Sequence, residues 1–464
     1  MTFRKLVAGL LVVTPACLPA TLGQAPLSNE ELLKRVEELE QQVRVLGRKD
    51  ELQEEAASEK AKTAVAVSAG ASGFQIRSAD TNFVLKIRGY LQADSRLYIN
   101  DNVPVNDTFL LRRVRPIFEG TVFEKFDYRL MLDFGSGVTA NNANNAYVQD
   151  AYFNARFYPE FQVQAGKFKE PVGLERLQSG ANLLFVERSY PTQLLPNRDV
   201  GVQVQGEIGE GLLSYALGAF NGVADGGSGD IDRTDDEKDI AARVFANPFK
   251  NSEVEALQGL GFGVAGTFGN HAGALRGFTS PGQQSIFEYY SGTGTNANTV
   301  ADGTVWRISP QAYYYWGPLG VLAEYAISSS EASRTGGGVT ATDDLQHSGW
   351  QVAVSYFLTG EENSFKAVTP RRPFTLGAGG GWGAWEVAAR ISGLKLDDDT
   401  FPTFASSANN ASEAISYAFG LNWHLNRNFK LNLNYEHTDF EGGSANPVVA
   451  EGEDVVLTRA QISF

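Results

Sequence analysis

The last ten residues of the chain, 455–464, restrict its fold more than any other segment. Read in steps of two, one face carries Val456, Thr458, Ala460 and Ile462 and the other carries Val455, Leu457, Arg459, Gln461 and Ser463. A strand with one lipid-tolerant face, one face bearing Arg and Gln, and an aromatic last residue is typical of a membrane β-barrel. An edge strand of a soluble β-sandwich has the same period, so other segments must decide between the two folds.

The amino terminus has the features of a secretory signal peptide. Arg4 and Lys5 precede a short apolar run, and small residues follow as far as Ala25. Because the run is too short to span a bilayer, residues 1–25 are predicted to be a cleaved signal and not a membrane anchor. Cys17, the only cysteine of the chain, lies within this segment. The exported chain is therefore predicted to have neither a disulfide nor a thiolate metal site.

A helical segment is predicted over residues 26–60. Its apolar residues recur at alternating spacings of four and three, at Leu32, Val36, Leu39, Val43 and Leu46. This pattern is the a/d seam of a short coiled coil, and Ser28 begins an N-terminal capping signal. We expect a periplasmic coiled coil that joins subunits; the alternative is an amphipathic helix packed on its own protein. Residues 61–73 are small and polar and are predicted to be a linker.

Residues 74–464 consist of short alternating runs separated by turns. The chain holds 49 Gly, 29 Phe and 17 Tyr, a composition suited to strands and turns. A soluble sandwich buries its apolar face, whereas a barrel turns that face to lipid and encloses a wet lumen. The signal peptide, the aromatic terminus and the predicted external loops 224–239, 291–303 and 334–344, which are rich in Gly, Asn and Asp and uneven in length, favour the barrel. At about 20–25 residues per strand, this region predicts an all-β transmembrane antiparallel β-barrel of about 16 strands in outer-membrane lipid.

Several stretches of the predicted barrel carry a family pattern. They are Leu111–Gly120, Tyr128–Asp133, Gly166–Arg176, Val186–Ser189, Tyr356–Glu361, Gly383–Glu386, Asn422–Asn426 and Arg459–Phe464. In this order they cover the whole barrel region, which resembles the phosphate-selective porin O and P family; the helical segment lies outside the resemblance. The resemblance implies a homotrimer of sixteen-stranded outer-membrane channels, each narrowed by a third loop that folds into the pore.

The chemistry that these residues suit is anion passage. Guanidinium groups in a narrow, low-dielectric pore hold an oxyanion through charge-assisted and often bidentate hydrogen bonds. Several basic residues in series allow an ion both to enter and to leave. The candidate anion-binding and pore-lining residues are Arg112, Arg113, Arg115, Arg176, Arg188, Arg198 and Arg243.

Three of these candidates lie on one predicted strand. Arg113 and Arg115 share a face, whereas Arg112 falls on the opposite face under strict alternation and needs a β-bulge to join them. The resemblance puts both Arg112 and Arg113 at the family's anion site. For every arginine, the alternative is a lumen residue that pairs with Asp or Glu and stabilises the barrel wall.

Three more candidates lie in the proline-interrupted segment 171–199, which is long enough to fold into the pore. By resemblance, Arg176 stands at the position of a phosphate-contacting lysine, and Arg188 at that of an arginine lining the approach. An arginine in place of a lysine keeps the charge but exchanges a point charge for a planar fork, which can change the preference among anions. Arg198 is the third candidate in this segment.

Two departures from the family pattern argue against strict phosphate specificity. Tyr90 stands where family members can have a lumen arginine, and the residues after Tyr325, which are lysine-rich in phosphate-specific members, are Ala-Ile-Ser-Ser-Ser. We therefore expect a channel that prefers small anions such as phosphate. The alternatives are a general or cation-tolerant porin, and a structural role in which the helical segment contacts the cell wall.

Other functions have little support in the sequence. The net charge of −15 argues against a nucleic-acid partner. The four histidines are scattered without metal-ligand spacing, and no nucleophile stands near a convincing base. We predict no enzymatic activity, no metal site and no cofactor.

Overall fold

The structure is a computed structural model that describes residues 28–99, 103–135, 146–231, 236–292, 298–336, 338–377 and 379–464. The predicted signal peptide lies outside the described residues. The chain divides into two compact units, residues 1–64 and residues 65–464. Within the described residues, no helix is long and apolar enough to cross a membrane.

The first unit contains one helix, α1, which spans Asn29–Thr63. Ser28 caps it: the Ser28 hydroxyl accepts a hydrogen bond from Glu31 N, and the Glu31 carboxylate accepts one from Ser28 N. This reciprocal capping box satisfies two backbone donors that the first turn leaves free. The apolar residues of the predicted seam are all exposed on the helix, so no described residue of its own unit covers them.

The second unit is built from strands. In chain order they are β1 (Ala66–Gly70), β2 (Gly73–Arg77), β3 (Phe83–Tyr98), β4 (Thr108–Val122), β5 (Phe126–Asp133), β6 (Tyr147–Tyr158), β7 (Phe161–Lys169), β8 (Arg198–Ile208), β9 (Leu213–Phe220), β10 (Asp239–Ala246), β11 (Leu260–Ala274), β12 (Phe278–Thr279), β13 (Ser285–Phe287), β14 (Val300–Trp316), β15 (Leu319–Gly336), β16 (Val339–Phe357), β17 (Ala384–Lys395), β18 (Ala411–His424), β19 (Phe429–Gly442) and β20 (Glu453–Ser463). Short helices lie between them: α2 (Leu174–Leu177), α3 (Pro191–Leu194), α4 (Glu255–Gln258) and α5 (Pro447–Glu451).

Strands β3–β11 and β14–β20, sixteen in all, form a closed antiparallel ring. Each strand pairs with the next, β11 pairs with β14, and β20 pairs with β3. At this last junction Gly89 and Phe464 exchange two backbone hydrogen bonds of 3.0 Å. Closure matters because an unpaired strand edge is not tolerated in hydrocarbon. The predicted fold class, with its N-terminal helix, is confirmed.

The two faces of the ring differ in polarity as the alternation predicts. On β20, Arg459 and Gln461 are buried in the lumen, while Ile462 on the other face is exposed. At the rim that carries the carboxyl terminus, Trp385 and Trp423 stack on the outer surface with ring centroids 5.0 Å apart. Aromatic side chains at this level are typical of the membrane interface.

Two segments differ from expectation. The predicted linker, 61–73, contains the end of α1 and strand β1, whose small residues pair with β2 while β2 pairs with β3. The predicted loop 334–344 lies almost wholly in β15 and β16, which extend to Gly336 and resume at Val339. In both places composition failed to predict a strand, because a partner strand supplies backbone hydrogen bonds whatever the side chains are.

The buried pair at the closing junction gives a stability test. Arg459 donates to both carboxylate oxygens of Asp94, at 2.8 and 2.6 Å. Asp94→Ala leaves a buried guanidinium unpaired, so we expect the free energy of unfolding in lipid vesicles to fall by about 3–5 kcal/mol. Arg88→Ala is the control: it breaks a pair with Glu119 in which Arg88 is 45% exposed, and the cost should stay below about 1 kcal/mol. Equal losses of stability in Asp94→Ala and Arg88→Ala would show that burial gives the Arg459–Asp94 pair no special role.

Candidate pore and anion site

The loop between β7 and β8, residues 170–197, folds into the lumen and is named here the inward loop. Glu324 of β15 accepts a hydrogen bond from Leu174 N at 2.6 Å. Asn434 of β19 accepts one from Val186 N at 2.7 Å. Because β15 and β19 lie at least five strands around the ring from β7 and β8, the inward loop crosses the lumen.

Arg112 and Arg113 both reach the lumen because β4 contains a β-bulge. The register of β4 against β3 shifts at this point, which makes Arg112 the extra residue. Arg112 donates Nε and Nη2 to the two carboxylate oxygens of Glu187 in the inward loop, at 2.6 and 3.1 Å. Arg113 donates to the side-chain oxygen of Gln92 at 2.7 Å. The bulge thus ties the wall to the inward loop by a bidentate ion pair.

Glu187 is the shared acceptor of this cluster. Its carboxylate also lies 3.5 Å from the guanidinium of Arg96 and 4.0 Å from that of Arg113. Burial alone raises the pKa of the Glu187 carboxyl, but the attraction of Arg112 outweighs it, so that the pKa lies well below its ordinary value. Three guanidinium groups therefore share one carboxylate, and the buried Nε atoms of Arg96 and Arg113 have no hydrogen-bond partner among the described residues.

Arg115 is held within the wall. Its Nε donates to Asp133 at 2.6 Å, and its Nη1 donates to the hydroxyl of Tyr90 at 2.7 Å. Asp133 and Tyr90 are both buried. For Arg115, this geometry matches the alternative in which a lumen arginine pairs with a carboxylate.

Arg176 and Arg188 belong to the inward loop and bond to its own backbone. Arg176 donates to the carbonyl of Thr192. Arg188 donates to the carbonyls of Glu175 and Gln178, at 3.2 and 3.0 Å. Burial lowers the pKa of both guanidinium groups, and Arg188 lowers that of Arg176 further by repulsion. Both residues stabilise the loop's conformation and add positive charge to it.

Arg198 and Arg243 border the open part of the lumen. Arg198 donates Nε to Asp150 at 2.7 Å. Arg243 donates to the side chain of Gln311 at 3.0 Å, and its guanidinium lies 4.5 Å from the ring centre of Phe245. Among the described residues, Arg243 thus has polar and aromatic neighbours but no carboxylate within ion-pair distance.

The open part of the lumen is a polar cavity of about 630 Å³ between the inward loop and strands β5–β10. Four cationic side chains and two carboxylates line it: Arg129, Lys169, Arg198, Arg243, Asp150 and Glu207. Tyr90, Tyr152, Gln164, Gln203 and Gln205 are among its other polar lining residues. A space of this size and polarity holds many waters, so it is suited to a hydrated ion.

Lys169 is a lining residue that was not among the sequence candidates. It donates to the carbonyls of Leu177 and Gln178, at 3.3 and 2.9 Å, and no described carboxylate lies within ion-pair distance. The sequence signal that could have identified Lys169 is its position at the end of β7, directly before the proline-interrupted segment. Arg96, Arg129 and Glu187 were also missed, because charge spacing along a strand does not reveal partners on other strands.

A closed sixteen-stranded barrel with a polar, loop-crossed lumen defines the class of outer-membrane porins, which are channels. Residues 85–464 match the family model described as phosphate-selective porin O and P, and the chain belongs to this family. Porin O of Pseudomonas aeruginosa is 23% identical over 418 residues, which are 84% of this chain and 91% of that protein.

Two solved structures have a similar fold. The outer membrane channel DcaP of Acinetobacter baumannii, at 12% identity and a TM-score of 0.53, is matched over its full length by 85% of this chain. In-vitro folded OmpT of Vibrio cholerae, at 9% identity and a TM-score of 0.50, is matched over 98% of its length by 82% of this chain. At such identities the likeness concerns the fold alone.

The lowered pKa of Glu187 predicts how the unfolding free energy depends on pH. The ordinary value is 4.5, so the pair with Arg112 contributes fully to stability above that pH, and the contribution is lost as the pH falls toward the lower folded-state value. Between pH 7 and pH 3, the unfolding free energy should decrease less in Glu187→Gln than in the wild type. Glu160→Gln, on an exposed turn, should follow the wild type. Parallel pH profiles for all three proteins would refute the prediction.

Proposed function

We propose that this porin is a diffusion channel that prefers small anions, phosphate-type oxyanions among them. The observation that carries the proposal is the charge balance of the polar cavity, where four cations face two carboxylates. Lys169 and Arg243 supply the excess, because the partners of both are uncharged. A carbonyl or amide oxygen accepts a hydrogen bond without cancelling the net charge, so the positive potential remains available to a passing ion.

The description of the family as phosphate-selective supports the same preference. The pairing of the arginines argues against a tight phosphate site. Both donors of the Arg112 fork are taken by Glu187, and Arg198 and Arg115 are bonded to Asp150 and Asp133. A passing oxyanion has to compete with these carboxylates. The channel is therefore proposed to show a graded anion preference, and a general porin is the second candidate.

Reversal potentials in a potassium chloride gradient test the preference. We expect the wild-type channel in planar bilayers to be anion-selective. Lys169→Gln and Arg243→Gln should each lower the anion-to-cation permeability ratio about two- to fivefold, since one unit charge beside the path is worth on the order of 1 kcal/mol. In phosphate gradients, the permeability ratios of the wild type and the two variants should fall in the same order.

The matched control is Lys125→Gln, which removes one positive charge from the exposed turn between β4 and β5. It should leave the reversal potential unchanged, because ionic screening limits its field to about 8 Å. A cation-selective wild type would favour the general porin, and an equal effect of all three variants would show that the cavity cations have no special role.

A second proposal concerns assembly. We infer that α1 joins three barrels as a periplasmic coiled coil, since its seam of apolar residues is exposed along the helix. Three helices attached to one trimeric channel are at a high effective concentration, so even a short seam associates. The same arrangement leaves the charged outer face of the bundle free, and we propose that this face contacts the cell wall.

Substitutions in the seam test the coiled coil. Val36→Asp with Val43→Asp puts charges into the seam, so the oligomer should dissociate at a lower temperature in native electrophoresis. Gln41→Asp adds a negative charge between these positions but outside the seam, and should behave as the wild type. If the seam variant and the control dissociate at the same temperature, α1 does not hold the subunits together.

A further inference from the structure

A second segment crosses the lumen, between β11 and β14. It contains the β12–β13 pair, and residues 277–288 are named here the lid hairpin. Its tip reaches Glu453 of β20 and Tyr98 of β3. These strands lie six or more places around the ring from β11 and β14. The lid hairpin therefore spans the barrel from one wall to the opposite wall.

The tip of the lid hairpin is held by one carboxylate. Glu453 accepts a hydrogen bond from the Ser280 hydroxyl at 2.7 Å and another from Gly282 N at 2.9 Å. The hydroxyl of Tyr98 donates to the carbonyl of Gly282 at 2.6 Å. Both Ser280 and Glu453 are buried. Hydrogen bonds to a buried carboxylate are among the stronger ones in proteins, and their loss leaves the charge uncompensated.

Gly282 leaves no room for a side chain at this contact. A Cβ atom at this position would lie 2.5–2.6 Å from the carboxylate atoms of Glu453. The carboxylate is thus in direct contact with the backbone of the tip. An alanine at this position forces the carboxylate and the tip apart without changing any charge.

The middle of the lid hairpin rests on the inward loop. Gln193 and Thr279 exchange two hydrogen bonds, of 2.6 Å and 2.8 Å. Phe278 and Phe287 are almost fully buried and belong to the same apolar cluster as Leu194 of the inward loop. The two segments that cross the lumen therefore form one layer, which is fixed to the wall at the tip by Glu453.

We propose that Glu453 is a positioning residue for permeation, because it holds the lid hairpin across the lumen and so limits the cross-section open to ions. The proposal rests on the chain's being a channel, and it is independent of the sign of the channel's selectivity. Loss of the contact removes both bonds between the tip and β20 and leaves the tip attached to β3 through Tyr98, whose hydroxyl donates to Gly282 and accepts from Gln284. The tip then moves between positions on and off β20.

Single-channel recording tests this role. Glu453→Ala removes the acceptor, and Gly282→Ala displaces the tip while keeping the charge. Both should raise the mean unitary conductance about 1.5-fold or more and add frequent transitions between levels, because conductance follows the narrowest part of the path. Glu451→Ala removes an exposed carboxylate two residues away and should match the wild type. The reversal potential of Gly282→Ala should remain that of the wild type.

A cross-link provides the decisive arm, and Gly282→Ala, which retains the carboxylate, keeps the proposal testable if the Glu453 variants fail to fold. Ser280→Cys with Glu453→Cys should show the larger, fluctuating conductance under reducing conditions. A short bifunctional thiol reagent that joins the two cysteines should restore the wild-type level, and a reductant should reverse the effect. Identical conductance in the linked and reduced states, or wild-type behaviour of Gly282→Ala, would overturn the proposal. Loss of anion selectivity with these conductance changes intact would contradict only the proposed anion preference.

Discussion

The pairing of β20 with β3 is the contact on which the rest of the structure depends. It leaves the sixteen-stranded ring without a free edge, and it separates a lipid-facing surface from an enclosed lumen. Once the lumen is enclosed, every polar side chain on its wall has to find water or another polar group. Arg459 with Asp94 and Arg390 with Glu436 are two results of that requirement. The inward loop, in turn, is anchored by the same wall of polar residues.

The lumen contains both an apolar region and open polar space. Toward β14–β18, the inward loop and the lid hairpin bury an apolar cluster that includes Tyr190, Leu195, Phe278, Phe287 and Leu394. Toward β5–β10, the polar cavity remains open. An ion cannot shed its hydration shell into the apolar cluster, because desolvation without compensating contacts is too costly. The apolar cluster thus excludes ions from the part of the lumen that it fills, whereas the polar cavity beside Lys169 and Arg243 and a second cavity between the inward loop and strands β14–β20 have room for water.

Local pattern was enough to predict the barrel, its number of strands and the direction in which the side chains of β20 point. It was also enough to predict that Arg112 needs a bulge to reach the lumen. It did not predict which residues contact each other across the lumen. Arg112 and Glu187 are 75 residues apart in the chain, and Gly282 and Glu453 are 171 apart. Such contacts follow from ring closure and from loops crossing the lumen, neither of which leaves a periodic signal.

The overall charge of the chain is a poor guide to its selectivity for a related physical reason. A net charge of −15 is spread over 464 residues, and charges on exposed turns and loops count toward it as fully as charges in the lumen. In physiological salt, the field of an exposed charge is screened within about 8 Å. Inside a cavity bounded by protein, screening is weaker and the nearest groups dominate. An acidic protein can therefore favour anions where Lys169 and Arg243, which have no ion-pair partner among the described residues, line its polar cavity, because an ion responds to the charges nearest to it.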